Sequence, residues 1–130
     1  MPIRRREVRL LEQVPIIAAS QVARSQQVIL DDADVCRLLL KVTEIGSPAV
    51  GDTLVVRPVF VDDDGVEYLD ANTTYGTFTL TGNDTPVNVT VVIPVPARTM
   101  SLLVTGAGSL SASTGFIVSA RLVLTANTSG

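Results

Sequence analysis

Residues 35–45 read VCRLLLKVTEI, and their alternation decides the fold. Cys36, Leu38, Leu40 and Val42 take every second position, with Arg37 and Lys41 between them. A period of two sends successive side chains to opposite faces of an extended chain, so this stretch is a strand with one buried face. The same period recurs at 53–61 (Leu54, Val56, Phe60), 98–106 (Met100, Leu102, Val104) and 116–126 (Phe116, Val118, Ala120, Leu122, Leu124). Residues 21–30, 66–70, 74–82 and 87–95 supply further short strands, the last with Val87, Val89 and Val91 on one face. Turn-forming stretches separate them: DDAD at 31–34, GSPAVGD at 46–52, DDDG at 62–65 and GAGSLSASTG at 106–115. Asp64-Gly65 offers the positive φ values that a tight hairpin needs. Pro58 cannot donate to a ladder, so its strand is expected at a sheet edge or with a bulge there. No long amphipathic helix interrupts this pattern. The chain is therefore expected to be all-β, an antiparallel β-sandwich or jelly roll of about eight short strands.

The first residues read differently. In MPIRRREVRLL four arginines fall within eleven residues, and Val8 and Leu11 sit three apart. That spacing predicts a short helix over 1–12, ended before Pro15 and too short to persist alone. The expected organisation is an extended N-terminal arm (1–14), a β-sandwich domain (15–126) and a polar C-terminal tail (127–130). A chain of 130 residues folds as one domain and buries roughly two-thirds of its unfolded surface. Charge is unevenly spread. Residues 1–30 carry five arginines against two glutamates, whereas residues 31–84 carry eleven carboxylates against three basic residues. An acidic body with a basic tip suits docking on an acidic neighbour, including another copy of itself.

Several chemistries are excluded by composition. Histidine is absent, which removes Ser-His and Cys-His nucleophile pairs and imidazole metal sites. Cys36 is the single cysteine, so no intrachain disulfide forms, and its inward position reads as a small buried hydrophobe. No 18-residue apolar run is present to span a membrane, and no secretion signal is legible. No phosphate-binding glycine motif occurs. Asn72, Asn88 and Asn127 open glycosylation sequons, which are common by chance in a Thr-rich chain. The acidic run Asp62, Asp63, Asp64, Glu67 and Asp70 is expected to be a solvated hairpin. Asp62, Asp64 and Glu67 are its weak calcium candidates, although the calcium-loop template fails around Gly65. Used as a pair of hydrolytic carboxylates, the run would need an aromatic platform that the sequence lacks. RRREVR at 4–9 could neutralise a few phosphates, yet no aromatic lies nearby for stacking and the acidic body would repel a nucleic-acid backbone. No catalytic residue and no cofactor is assigned.

From Cys36 to Ala126 the chain resembles small β-sandwich structural proteins of tailed bacteriophages. The resemblance rests on LLLKVTEIGSPAVGDTLVVRPVFVDDDGVEYLD and on TGNDTPVNVTVVIPVPARTMSLLVTGAGSLSASTGFIVSARLVLTA, about two-thirds of the chain. An aliphatic strand runs into an acidic hairpin, and Val95-Pro96-Ala97-Arg98 leads into a later strand. A Gly/Ser loop and a closing aliphatic strand follow. The resemblance implies a non-enzymatic virion subunit assembled in a host cytoplasm: a capsid decoration (cement) protein, or a neck or tail subunit. It implies homo-oligomers, with a trimer favoured, and a terminal arm clasping the major capsid protein or other virion subunits. The residues expected to carry that contact are Ile3, Arg4, Arg5, Arg6, Val8, Arg9, Leu10 and Leu11. A carbohydrate- or cell-surface-binding sandwich is the alternative, and the absence of Trp speaks against it.

Overall fold

Cys36, Leu38, Leu40 and Val42 are all buried in the computed structural model, and Arg37 and Lys41 are exposed, as the alternation requires. The structure describes residues 3–30, 33–49, 51–69, 78–81, 87–93 and 99–127. Ten strands follow one another in these residues: β1 (Ile3–Ile16), β2 (Val22–Arg24), β3 (Val28–Ile29), β4 (Val35–Ile45), β5 (Thr53–Val61), β6 (Glu67–Leu69), β7 (Phe78–Thr81), β8 (Val87–Ile93), β9 (Thr99–Ala107) and β10 (Gly115–Asn127). Of the resemblance's features, Val95 to Arg98 lie outside the described residues, as do Asp70 and residues 128–130 of the expected tail.

The pairing is nested and antiparallel throughout. β1 pairs with β10, β2 and β3 with β9, β4 with β8, and β5 with β6 and β7. The strands nearest the two chain ends thus pair first and the middle strands last, as in one long folded hairpin. That hairpin then rolls up, because β10 also pairs with β4 and β9 also with β5. One sheet runs β1-β10-β4-β8. The other has β9 and β5 at its centre, β2 and β3 on one flank, and β6 and β7 on the other. This is jelly-roll winding, two packed sheets from one rolled ribbon. The inner faces meet in a single apolar cluster that includes Leu38, Leu54, Val56, Met100, Leu102, Phe116 and Leu122.

Two irregularities have local causes. β2 and β3 are halves of one strand, interrupted at residues 25–27. Ser25 bridges the break: its Oγ accepts the Leu102 N–H at 2.8 Å, and its own N–H donates to the Leu102 carbonyl at 2.9 Å. Both backbone groups of Leu102 therefore point toward Ser25 and away from β5. The Pro58–Leu102 pair on the β5 side is then a non-hydrogen-bonded one. Pro58's missing donor faces the other flank, where the first residue of β7, Phe78, pairs with Val56 and the last of β6, Leu69, pairs with Val59. The expected edge position of this strand is corrected. β5 is internal, and Pro58 has no ladder partner on that flank among the described residues, so its missing N–H breaks no described pairing.

The expected helix over residues 1–12 is also corrected. Residues 3–16 form β1, paired with β10 along its length. Its register with β10 shifts between Arg9 and Leu11 and again between Leu11 and Val14, each time by one extra residue on β1. These bulges let the consecutive residues Leu10 and Leu11 both face inward and become buried. Gln13 takes the left-handed backbone conformation (φ 48°), and its N–H donates to Ser119 Oγ at 3.0 Å.

Candidate assembly surface

The outer face of the β1-β10-β4-β8 sheet gathers basic side chains from three separate stretches, in β1, β4 and β10. Register places Glu7, Val123, Arg37 and Val92 in one row across the sheet. The next row is Arg9, Arg121, Leu39 and Thr90, and beyond it Ser119, Lys41 and Asn88 align. Arg5 lies opposite Thr125 at one end. Arg9 and Arg121 are directly opposed, which would be repulsive alone. Each takes a glutamate instead: Arg121 Nη1 donates to Glu7 Oε1 at 2.9 Å, and Arg9 Nη1 to Glu12 Oε1 at 3.3 Å. Both pairs are well exposed, so they contribute little stability. Their effect is to leave Arg5, Arg37 and Lys41 as the basic groups of this face without a carboxylate partner among the described residues. Leu39 (38% exposed) stands between Arg37 and Lys41 on β4, and Val92 (55%) lies beside Arg37 on the edge strand β8. Beside the β1 bulges lies a groove of about 490 Å³, lined by Arg9, Gln13, Leu39, Lys41, Thr90 and Arg121 among others.

Strand geometry divides the residues expected to form the arm contact. Arg5 and Arg9 are exposed on the outer face. Arg6 has the opposite parity and donates to the Ile29 carbonyl at 2.8 Å. Val8 packs against the core, and Leu10 and Leu11 are part of it. Val8, Leu10 and Leu11 therefore face the interior of this chain and not its outer face. Ile3 and Arg4 belong to β1, and their side chains lie outside the described residues. Sequence reasoning missed Arg37, Lys41 and Arg121 as partners of the β1 arginines. The signal was present in the alternation of β4 and β10, but only the sheet order brings the three stretches together.

The acidic hairpin lies on the other sheet. Asp62 Oδ1 accepts the N–H groups of Asp64 and Val66, both at 2.9 Å, and Tyr68 Oη donates to Asp62 Oδ2 at 2.9 Å. Gly65, at φ 82°, closes the turn. Glu67 turns away and pairs with Arg24. The three weak calcium candidates are thus not converged: Asp62 serves its own turn, Glu67 faces a guanidinium, and Asp64 contributes only its N–H. No cluster of three metal-ligating side chains occurs among the described residues. The Val66 N–H, followed by the Tyr68 hydroxyl, holds the Asp62 carboxyl below its ordinary value of 3.8. That is the reverse of what a general acid requires. The same bond raises the Tyr68 phenol above 10.0. A carboxyl depressed in the folded state stabilises the turn above the ordinary carboxylate range, and that stabilisation is lost as pH falls through the folded value. Asp62→Ala should therefore remove the acid-induced loosening of this turn, read by amide exchange of Asp64 and Val66. It should also bring the Tyr68 titration down toward 10.0, read by ultraviolet difference absorbance.

Cys36 is fully buried, and desolvation pushes its thiol up to about 11. It remains a neutral thiol near neutral pH and behaves as a small apolar side chain.

No described helix is long and apolar enough to cross a membrane. No family model matches the chain, and no curated protein does. Solved structures do share the fold. A chain of the T13 infectious bursal disease virus particle superposes with a TM-score of 0.57 at 14% identity, covering 96% of this chain and 31% of its own. A chain of the infectious bursal disease virus VP2 subviral particle gives 0.57 at 12% identity, covering 96% and 33%. A chain of the disulfide-linked Bacillus endospore appendage pili gives 0.49 at 16% identity, covering 98% and 89%. The chain spans about a third of the length of the viral chains it matches. At these identities the likeness establishes the architecture: the β-sandwich of this chain is one that also occurs within viral particle proteins.

Proposed function

We propose that this chain is a non-enzymatic structural subunit of a viral particle, held to neighbouring subunits by the outer face of its β1-β10-β4-β8 sheet. The observation that carries this reading is the placement of Arg5, Arg9, Arg37, Lys41 and Arg121 on one face beside exposed Leu39 and Val92, with two glutamates neutralising only part of the charge. Basic groups beside apolar ones steer and orient an acidic neighbour, while the desolvated aliphatics supply affinity. Kinship of fold with particle-forming viral chains supports the same reading. A decoration protein of a tailed bacteriophage, trimeric and seated on the major capsid protein, is its finer form. The expected arm contact enters through Arg5 and Arg9, as part of a sheet face. Among the described aromatic side chains a carbohydrate-binding reading gains no support: Phe60 and Phe116 are buried, and the Tyr68 hydroxyl is engaged by Asp62.

Deleting residues 1–12 is not a usable test, because it would remove most of β1 and the buried Leu10 and Leu11. Charge reversal is. Arg37 and Lys41 are exposed, so Arg37→Glu/Lys41→Glu should change folding stability by no more than about 1 kcal/mol. Binding to particles depleted of this chain should weaken roughly tenfold or more, and the wild-type affinity should fall as salt rises. Equal binding by the double variant would overturn the surface assignment.

A further inference from the structure

We propose that β8 is a self-association edge, through which two copies of this chain pair strand to strand. β8 reads VNVTVVI and pairs residue for residue with Cys36–Val42, without a register shift. It ends its sheet, so its far side has no strand partner among the described residues. An edge strand leaves a row of N–H and C=O groups facing outward, and proteins usually blunt such edges with charge, proline, a bulge or brevity. The other described edges carry these devices. β1 bears four arginines and two glutamates, two bulges and Pro15. β2 and β3 are three and two residues long and interrupted between them, and β6 and β7 are three and four residues long. Within its described residues, which Pro86 and Pro94 bound in sequence, β8 has none of these: seven residues, no charge, no proline, regular pairing, and Val92 standing 55% exposed on its outer face.

The occupant that fits is a second β8. Antiparallel pairing centred on Thr90 sets Thr90 against Thr90 and Val92 against Asn88 of the other copy. Thr–Thr pairs are favourable across strands, and no like charges meet. Two β1 strands in the same arrangement would instead oppose arginine-bearing stretches. The β8 pairing is self-complementary and closes as a two-fold dimer. It joins two four-stranded sheets into one of eight. This inference stands apart from the virion reading, since it concerns association of the purified chain alone.

The test uses the full chain, its Thr90→Lys and Thr90→Glu variants, and their equimolar mixture, in sedimentation velocity over a concentration series. Thr90 is exposed on the strand's outer face, so both variants should fold. The wild type should dimerise. Each variant alone should dimerise roughly tenfold more weakly, and the mixture should recover to within about threefold of wild type. A monomeric wild type, or variants that associate like wild type, would overturn the proposal. So would a mixture no tighter than its components. Thr90→Glu associating normally while Thr90→Lys fails would also overturn it, because β8 would then be meeting an arginine-bearing edge. Amide exchange of the wild type gives an independent reading. Protection of β8 should rise with concentration, and concentration-independent protection counts against the pairing.

Discussion

Phe116→Ala should lower the unfolding free energy by about 3–5 kcal/mol. Phe116 is fully buried at the start of β10, with Ile16 opposite it on one side and Glu44 on the other. Because β10 lies between β1 and β4, its backbone cannot move inward to fill the space a phenyl ring leaves. The cost should therefore combine the lost transfer free energy with an uncollapsed cavity. Domains of this size are stable by roughly 5–15 kcal/mol, so this single change removes between a fifth and all of the margin. Phe116→Leu keeps most of the volume and should cost less than about 1.5 kcal/mol. Val92→Ala, on an exposed position of the same sheet, should stay within about 0.5 kcal/mol. The chain contains no tryptophan, so urea unfolding followed by far-ultraviolet circular dichroism is the suitable measurement. An unchanged slope would show that the midpoint reports stability alone.

The second large effect is expected at Asp52, a carboxylate only 3% exposed between two loops. Its Oδ2 accepts the Ala49 N–H at 2.9 Å, and its Oδ1 accepts the Ser109 N–H at 2.7 Å. The Asp52 N–H donates in turn to the Ala49 carbonyl at 2.9 Å. One side chain thus closes the 46–52 turn and ties it to the loop after β9. Hydrogen bonds to a charged acceptor are each worth about 1.5–3 kcal/mol, and removing the acceptor leaves both donors without it. Asp52→Ala should cost about 3 kcal/mol. Asp52→Asn keeps the shape but offers an amide N–H to one of the two donors, so it should forfeit one bond and cost roughly half as much. Gly108 belongs to the same device. It adopts φ 103°, and a Cβ there would lie 2.6 Å from Asp52 Oδ1. Gly108→Ala should break the same contact, so the double variant should cost less than the sum of the singles. Additive costs would show that the two loops are held independently.

Much of the fold was legible because the core strands alternate cleanly. β4, β5 and β10 bury the side chains that period-two spacing selects, and Asp64-Gly65 closes the hairpin that their types require. β1 was misread for a physical reason. Its bulges put Leu10 and Leu11 on the same face, which destroys the alternation, while Val8 and Leu11 imitate a helical step. The partner that makes β1 a strand is β10, more than a hundred residues away, and no local pattern reports that. The basic surface was half visible for the same reason. Arg37 and Lys41 were placed on the outward face of their strand from sequence, and the arginines of 4–9 were noticed as a cluster. Strand parity then removes Arg6 from that cluster, and sheet order adds Arg121. Pro58 suggested a sheet edge, whereas its strand is internal and Pro58 lies between the stretches of β5 that pair with β6 and β7.

The claim that the outer face of the β1-β10-β4-β8 sheet seats this chain on a particle can be tested at one atom. Lys41 is the chain's single lysine, and it lies in that face. The measurement is acylation of Lys41 Nζ in intact particles and after their disassembly, quantified by peptide mass spectrometry. The proposed surface predicts that the chain is present in the particles and that Lys41 is protected until they are taken apart. Equal labelling in both states, or absence of the chain from the particles, would contradict it.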